Sequence, residues 1–286
     1  MVENGETVMI TNLKPLLEDA KQGGYALGAF NVYNYETIKG TIEAINETKM
    51  PAIIAFGQKY LENMTLKEVV NLVRTISLRT DVPLAIHLDH TKDIDIIKKA
   101  IEAGFTSVMY DGSALSFEDN IKNTKAVVAF AHPRDVSVEA ELGSLELGGH
   151  SNEDEGETIY TDPDEALEFV QKTNVDALAV SIGTVHGLYK GEPKISVTRL
   201  KEIHAKLDMP LVLHGGSGTP VETIQSCIAN GITKINVNTE VSYQVVKTMR
   251  NMLEDNPETH LSQLSKQAVD TVKTTVIKHM KLYREF

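Results

Sequence analysis

The chain has 286 residues, of which 42% are hydrophobic and 24% are charged, so it is long enough to bury a large core. Its formal net charge of −12 argues against nucleic acid and against an anionic membrane surface as partners. The single cysteine, Cys227, excludes an intrachain disulfide and a zinc cluster built from thiolates. Any bound metal would therefore use His, Asp and Glu, and backbone N–H groups could still hold a small anionic ligand.

The segment from Met1 to Ile10 lacks the basic-then-apolar pattern of a secretory signal, because it carries Glu3 and Glu6. No apolar run in the sequence is long enough to cross a bilayer. We therefore expect a cytoplasmic protein without a membrane partner.

Short apolar runs recur along the chain, and a helical pattern follows each of them. The predicted strands are Ala26–Val32, Ala52–Phe56, Leu84–Leu88, Ser107–Tyr110, Val136–Leu142, Ala177–Ile182, Leu211–His214 and Lys234–Val237. The predicted helices between these strands are Tyr35–Thr48, Leu66–Leu78, Ile94–Ala103, Glu118–Ala131, Pro163–Lys172, Val197–Lys206 and Val221–Ala229. Within the second helix, Val69, Val73 and Ile76 recur at the spacing of one helical face.

Strict alternation of strand and helix indicates a parallel sheet, and eight such units predict a closed (β/α)₈ TIM barrel. A doubly wound open sheet is the alternative architecture. We expect one barrel domain over residues 1–286, with extra C-terminal helices at Val241–Glu254 and His260–Tyr283. The polar segment Gly148–Thr161 follows the fifth strand and is predicted to be a mobile loop.

Chemistry in such a barrel takes place at the carboxyl ends of the strands. The predicted strands from the third to the eighth all end in, or lead to, His, Asp, Glu or Asn. Three of these residues are His90, His186 and His214, and three protein ligands with one open position are the arrangement of a catalytic zinc ion. The sequence therefore predicts a zinc site. Asp111 and Glu141 lie on the strands between and could hold a second metal position or orient the ligands.

The other histidines are expected to have different roles. His87 lies inside the third strand and is predicted to be structural, and no role is assigned to His150 in the polar loop. The rest lie in or near predicted helices and are expected to be exposed; they are His132, His204, His260 and His279.

Two loops at the same rim have the pattern of a phosphate site. Gly215–Gly218 follows the seventh strand and Asn236–Thr239 follows the eighth, and each opens a helix. Barrels often bind phosphate with these two loops, through glycine N–H groups and a helix N-terminus. Their position beside the proposed zinc site predicts a phosphorylated ligand.

Six spaced motifs carry a resemblance to a known family. HLDH, VMYDGS, VEAELG, GTVHGLYKGEP, LVLHGGSG and KINVNTE together resemble the class II aldolases, which act on fructose or tagatose bisphosphate. The resemblance runs from about Leu13 to the last helix. It implies a lyase of carbohydrate metabolism that uses one catalytic Zn²⁺, with a second metal position and a monovalent cation as further options, and that forms a homodimer or homotetramer.

The resemblance also implies roles for individual residues. Asp89 would be the catalytic acid and base. The zinc ligands would be His90, His186 and His214, with Asp111 and Glu141 at the alternate metal position. The dihydroxyacetone phosphate portion of the substrate would be held by Gly187, Gly215, Gly216, Ser217, Asn236, Val237, Asn238 and Thr239. A catalytic loop glutamate would be Glu153, with Glu155 as the alternative, and Arg284 would be a candidate ligand of the distal phosphate.

The implied reaction is the reversible cleavage of a ketose 1,6-bisphosphate to dihydroxyacetone phosphate and glyceraldehyde 3-phosphate through a zinc-stabilised enediolate. Asp89 would move the proton of the C4 hydroxyl, and the loop glutamate would move the proton at C3. Asn238 in KINVNTE resembles the pattern of fructose bisphosphate enzymes, whereas GTVHGLY resembles the tagatose group. Fructose 1,6-bisphosphate is favoured. Tagatose 1,6-bisphosphate and the phosphorylated keto-acids of inositol breakdown are the alternatives.

Three other classes of barrel protein are alternatives. A Schiff-base aldolase needs a buried lysine at the active rim, but Lys234 begins the eighth strand and is expected to face the opposite end. A metallohydrolase barrel usually carries His-x-His on its first strand, where this chain has Ala29, Phe30 and Asn31. A non-catalytic sugar-phosphate-binding barrel would not need Asp89 beside a full set of metal ligands.

Overall fold

The computed structural model describes residues 9–152 and 158–284. Within these residues, eight parallel strands close into a barrel, and the helices between successive strands surround it. The predicted (β/α)₈ barrel with extra C-terminal helices is therefore confirmed, and the open sheet is excluded. None of the described helices combines the length and the apolar character that crossing a membrane requires.

The described chain contains ten strands and ten α-helices, numbered in chain order. The strands are β1 (Leu27–Asn31), β2 (Ala52–Gly57), β3 (Leu84–Thr91), β4 (Ser107–Tyr110), β5 (Ser137–Leu142), β6 (Glu146–Leu147), β7 (Ala177–Val180), β8 (Val185–His186), β9 (Leu211–Leu213) and β10 (Ile232–Val237). The helices are α1 (Leu13–Gly23), α2 (Tyr35–Thr48), α3 (Leu66–Ile76), α4 (Ile94–Ala103), α5 (Phe117–Ala131), α6 (Pro163–Thr173), α7 (Val197–His204), α8 (Val221–Ile228), α9 (Thr239–Asp255) and α10 (Leu261–Leu282). Around the barrel the strand order is β1-β10-β9-β7-β5-β4-β3-β2.

Helix α1 was not predicted, and it closes the amino-terminal end of the barrel. Its caps are regular, because Asn12 accepts the N–H of Lys14 and Gly24 ends the helix with a φ of 68°. Its apolar face packs with the small residues that point into the barrel. This cluster comprises Leu13, Leu16, Leu17, Ala20, Tyr25, Leu27, Ala29, Ile53, Ala55, Ala85, Ala177, Ala179 and Val212.

The barrel interior changes from apolar to polar toward the carboxyl ends of the strands. Alternate residues of a strand point to the same side, so Ala85, His87 and Asp89 of β3 all face inward. Glu139 and Glu141 do the same on β5. The lower part of the barrel is thus packed on α1, and the polar side chains are concentrated at the opposite rim.

Two short strands outside the barrel were also not predicted. β6 pairs in parallel with β8, which brings Leu147 opposite His186. The pairing continues beyond the strands, because Gly149 and Leu188 exchange N–H···O hydrogen bonds of 2.6 and 2.7 Å. Strands of two residues have no periodicity that a sequence pattern could show. We call β6, β8 and Gly149 with Leu188 the loop ribbon.

Helix α10 packs along α2, and Gly40 of α2 lies directly against it. Replacing Gly40 with alanine is expected to lower the free energy of unfolding by about 1–2 kcal/mol, although alanine usually favours a helix by ~1 kcal/mol. The added Cβ would lie 2.6 Å from Val272 Cβ and 2.8 Å from the carbonyl oxygen of Val269, so the two helices would have to separate. Urea unfolding followed by circular dichroism measures the change.

The control for this substitution is Gly191→Ala. An added Cβ at Gly191 meets no atom of the described residues within 4 Å, so that variant should unfold as the wild type does. Equal stability of Gly40→Ala and the wild type would contradict the close approach of α2 and α10.

The exposure predicted for His279 is wrong. Its side chain is buried at the end of α10, where Nε2 lies 3.2 Å from Glu240 Oε2 and Nδ1 lies 3.0 Å from the hydroxyl oxygen of Tyr283. The contact with His279 lowers the pKa of Glu240 to about 2. Glu240 lies in the first turn of α9, so this cluster connects the end of α10 to the start of α9.

Candidate active site

The three histidines singled out in the sequence lie together at the carboxyl-terminal rim. His90 is near the end of β3, His186 ends β8, and His214 directly follows β9. The backbone of His90 has a φ of 39°, a left-handed conformation that residues other than glycine rarely adopt. Such strained positions are concentrated at functional sites, where the surrounding structure holds them in place.

The geometry of these histidines suits a shared metal ion. Each offers one ring nitrogen, and the nitrogens all lie within 4.8 Å of one another. The ring centroid of His90 is 5.0 Å from that of His186 and 4.5 Å from that of His214. A zinc ion would contact each nitrogen at about 2.0–2.1 Å, which such a cluster can reach by small side-chain movements.

The chemistry of the ring nitrogens also fits zinc. Among the described residues, Nε2 of His186 and Nδ1 of His214 are buried without a hydrogen-bond partner, which buried polar atoms rarely are. Burial lowers the pKa of His186 well below its usual value and lowers that of His214. Both rings are therefore neutral near pH 7 and keep a lone pair for a metal.

Two carboxylates, those of Asp111 and Glu141, lie beside the same histidines. His90, Asp111 and Glu141 form a second group of ligand atoms within 4.8 Å of one another. Nδ1 of His90 lies 3.2 Å from Asp111 Oδ2 and 3.8 Å from Glu141 Oε2. Burial and the nearby charge of Asp111 raise the pKa of Glu141 well above its usual value. Asp111 and Glu141 can thus hold a metal with His90 or orient the histidines from behind.

Asp89 lies beside this cluster and is held by two asparagines. Its Oδ2 accepts from Asn31 Nδ2 at 2.9 Å, and its Oδ1 accepts from Asn236 Nδ2 at 3.0 Å. Burial opposes ionisation of Asp89, but the nearby charges of His90 and Lys234 outweigh it and hold its pKa below the usual range. The carboxylate is therefore ionised and fixed in orientation. Asn31, on β1, was not recognised from the sequence as a site residue.

The prediction that Lys234 faces the opposite end of the barrel is wrong. It shares the inward face of β10 with Asn236, and its ammonium group lies 2.8 Å from Glu139 Oε2 inside the barrel. His87 is buried beside this pair, and burial lowers its pKa to about 4. Its Nδ1 is 2.8 Å from Ser107 Oγ, in keeping with the structural role predicted for it.

The predicted phosphate-binding loops lie next to Asp89 and His90. A cavity of about 30 Å³ lies between these loops and the metal-binding cluster. Its lining comprises Asn31, Asp89, His90, Ser151, His186, Gly187, Gly215, Ser217, Asn236, Asn238 and Thr239. Gly187 and Gly215 have φ values of 117° and 71°, and a Cβ on either residue would clash with backbone oxygens of the loops around it. These glycines are therefore required for the loops to meet.

Two of the predicted phosphate ligands make other contacts. The N–H of Gly216 donates to the carbonyl oxygen of Asn236 at 3.0 Å. The side chain of Val237 is buried in the hydrophobic core, so a ligand would meet only its backbone. Neither residue is part of the lining of the small cavity, and their role in phosphate binding stays a prediction.

A larger cavity of about 710 Å³ opens on the other side of the histidines. It is lined by the metal-binding residues His90, Asp111, Glu141 and His186 and by polar residues farther out, among them Gln58, Lys59, Lys92 and Ser113. Nearby, Asn238 Nδ2 donates to the hydroxyl of Tyr60 at 2.8 Å. Tyr60 was not recognised from the sequence as a site residue. The cavity is wide enough for a sugar phosphate that reaches from the metal-binding cluster toward lysine side chains.

The predicted loop glutamates and Arg284 are not among the residues that line the described site. Glu153 and its alternative Glu155 lie outside the described residues. The guanidinium carbon of Arg284 lies 4.3 Å from the ring centroid of Tyr25, which packs with α1 at the closed end of the barrel. Within one chain, Arg284 therefore lies beside Tyr25 and α1, because α10 ends beside β1. Its role as a distal phosphate ligand, which the family resemblance sometimes assigns to a partner subunit, stays a prediction.

Comparison with known proteins agrees with this geometry. The family model "Fructose-bisphosphate aldolase class-II" matches residues 11–285. A sulfofructosephosphate aldolase of Alkalicoccus urumqiensis is 42% identical over 271 residues, covering 92% of this chain and 94% of that protein. A fructose-bisphosphate aldolase of Geobacillus stearothermophilus is 42% identical over 282 residues, covering 97% and 96%.

A solved structure shows the same relationship in three dimensions. The crystal structure of the YdjI aldolase of Escherichia coli K12 superposes with a TM-score of 0.85 at 33% identity, covering 96% of this chain and 97% of that one. The fold, the rim residues and the sequence matches thus agree over nearly the whole chain. This chain belongs to the class II fructose-bisphosphate aldolase family and is an aldolase, a carbon–carbon lyase.

Proposed function

We propose that this aldolase uses Zn²⁺ to cleave a ketose 1,6-bisphosphate, preferably fructose 1,6-bisphosphate, to dihydroxyacetone phosphate and glyceraldehyde 3-phosphate. The observation that carries the proposal is the cluster of His90, His186 and His214, whose nitrogens lie within 4.8 Å of one another beside Asp89. The relative from G. stearothermophilus, named as a fructose-bisphosphate aldolase, supports the choice of substrate.

Cleavage between C3 and C4 leaves negative charge on C3, which must be delocalised into the C2 carbonyl. A zinc ion held by the three histidines would supply a Lewis acid for that carbonyl oxygen. Asp89 would take the proton of the C4 hydroxyl and return it during condensation. Asn31 and Asn236 would keep its carboxylate pointing toward this proton, because they bond to both of its oxygens.

The C1 phosphate is proposed to bind at the small cavity beside Asp89. Gly187, Gly215, Ser217, Asn238 and Thr239 line this cavity, and α9 begins there with its N-terminus. Backbone N–H groups at a helix N-terminus bind phosphate well even on an acidic protein. Binding the phosphate there would orient the reacting carbons between Asp89 and the metal-binding cluster.

The remainder of the substrate is proposed to extend into the larger cavity toward Lys59 and Lys92. Asn152, the residue before Glu153, lies at the edge of the larger cavity, because its carbonyl oxygen accepts a hydrogen bond from Lys59, which lines that cavity. We therefore keep Glu153 as the first candidate for proton transfer at C3. This acid-base step is distinct from the step assigned to Asp89.

A second substrate deserves a direct test, because the relative from A. urumqiensis is a sulfofructosephosphate aldolase with the same 42% identity. A sulfonate and a phosphate are both tetrahedral oxyanions, and lysine side chains would bind either group. The two sugars differ at the end of the substrate that is proposed to lie in the larger cavity.

The deciding experiment measures cleavage rates on fructose 1,6-bisphosphate, tagatose 1,6-bisphosphate and sulfofructose phosphate, with and without a chelator. We expect the highest kcat/KM on fructose 1,6-bisphosphate, a loss of at least ~10³-fold after zinc removal, and recovery when Zn²⁺ is restored. Borohydride with substrate should trap no adduct, since the proposal involves no Schiff base. Full activity in chelator together with borohydride trapping would refute the zinc mechanism.

A further inference from the structure

A fully buried ion pair crosses the barrel interior directly beneath the proposed zinc site. Lys234 of β10 and Glu139 of β5 both have side chains with 0% exposure. The ammonium nitrogen lies 3.0 Å from Glu139 Oε1 and 2.8 Å from Oε2, so it contacts both carboxylate oxygens. The two strands are separated by β9 and β7, so the lysine side chain spans the inside of the barrel.

Such a pair is an unexpected way to fill a barrel core. Removing two charges from water costs several kcal/mol per ion, and apolar residues of similar size often stabilise a protein equally well or better. The interior below is in fact filled by small apolar residues such as Ala85, Ala179 and Val212. Packing alone therefore does not account for the charges, and the other contacts of Glu139 indicate what the pair does.

Glu139 connects the ion pair to a proposed metal ligand. Its Oε1 accepts a hydrogen bond from His214 Nε2 at 2.9 Å. A carboxylate can only accept, so the proton of the neutral imidazole must be on Nε2 and the lone pair on Nδ1. Nδ1 is the nitrogen of His214 that has no hydrogen-bond partner among the residues the structure describes. The contact with Glu139 thus presents the correct nitrogen to a metal.

Lys234 completes this arrangement from the opposite wall. Because it contacts both oxygens of Glu139, it limits rotation of the carboxylate and compensates its charge. Carboxylates behind a metal-bound histidine orient the ring and increase its basicity as a ligand. We propose that Lys234 is a positioning residue, which fixes His214 through Glu139 and thereby sets the affinity and coordination geometry of the divalent metal. This inference rests on the proposed zinc site.

The test compares metal binding by the full chain and by two variants, Lys234→Met and the double variant Lys234→Met/Glu139→Gln. The single variant leaves a buried carboxylate without its cation, whereas the double variant removes both charges at nearly constant volume. Zn²⁺ affinity is measured by competition with a chromophoric chelator, and the coordination geometry by the visible absorption of bound Co²⁺. Circular dichroism and thermal unfolding of the metal-free proteins report the fold.

We expect both variants to bind Zn²⁺ about 10- to 100-fold more weakly than the wild type and to show a changed Co²⁺ spectrum. The double variant should regain stability relative to Lys234→Met without regaining metal affinity. Lys14→Met is the control, since Lys14 also pairs with a buried carboxylate, Asp176, at 3.1 Å but outside the metal-binding cluster. That variant should keep the wild-type affinity and spectrum.

The outcomes separate this inference from the proposed function. A double variant that folds with wild-type Zn²⁺ affinity and an unchanged Co²⁺ spectrum would overturn the positioning role. Failure of both variants to fold, with or without metal, would assign the pair to folding alone and would also overturn it. If the wild type itself bound no zinc through its histidines, the proposed zinc mechanism would fail first.

Discussion

A chain in which His214 is replaced by alanine is expected to lose its bound zinc and its aldolase activity together, with kcat/KM lower by roughly 10³-fold or more. His214 Nδ1 is one of three ring nitrogens in the proposed site, and two histidines alone leave the ion with too few protein ligands. His186→Ala should behave in the same way. Metal content by atomic absorption and cleavage rates on fructose 1,6-bisphosphate measure the two effects.

The control is His260→Asn. His260 is exposed at the start of α10, where its side chain caps the helix, and asparagine preserves a capping group. That variant should retain full zinc content and activity. If His186→Ala and His214→Ala both kept the zinc stoichiometry and the rate of the wild type, the assignment of the metal site would be wrong.

The second large effect is expected at Asp89. Asp89→Asn should retain zinc but lower kcat for cleavage by about 10²- to 10⁴-fold, the usual contribution of a general acid-base group. The amide is similar in size, and Asn236 Oδ1 lacks a partner among the described residues, so Asn236 can turn to accept from it. Steady-state kinetics and metal analysis of the same preparation make the measurement.

A partial reaction sharpens this prediction. In the proposed mechanism, proton exchange at C3 of dihydroxyacetone phosphate uses the metal and the loop glutamate but involves no C4 hydroxyl. Asp89→Asn should therefore keep most of the exchange rate while losing cleavage. If exchange and cleavage fell to the same extent, Asp89 would not be specific to the C4 proton. A variant with full cleavage activity would remove Asp89 from the mechanism altogether.

The barrel and the grouping of the three histidines were predictable because both follow from local patterns. Each strand is a short apolar run before a helix, and parallel strands in a barrel bring their carboxyl ends to one rim. His90, His186 and His214 could therefore be grouped although they are far apart in the chain. Their spacing within 4.8 Å depends on the three-dimensional packing, which only the structure describes.

Other features depended on long-range contacts that no local pattern contains. Lys234 begins the predicted strand, but β10 itself starts at Ile232, and the lysine side chain reaches Glu139 on the far wall. His279 looked like a surface residue of a helix, yet α10 buries it against Glu240. Asn31 is one polar residue at the end of an apolar strand, and only the position of Asp89 across the barrel shows its role.

The loop ribbon has a consequence for how this aldolase can be altered. The N–H of Gly148 donates to the carbonyl oxygen of His186 at 2.8 Å, and a Cβ on Gly187 would lie 2.7 Å from the carbonyl oxygen of Gly149. The backbone that carries a proposed zinc ligand is thus joined to the segment that leads to Glu153. A chimaera that takes the segment after Leu147 from a relative must also take the region around His186. Exchanging the segment after Leu147 without the region around His186 would misplace both the His186 imidazole and the transferred loop.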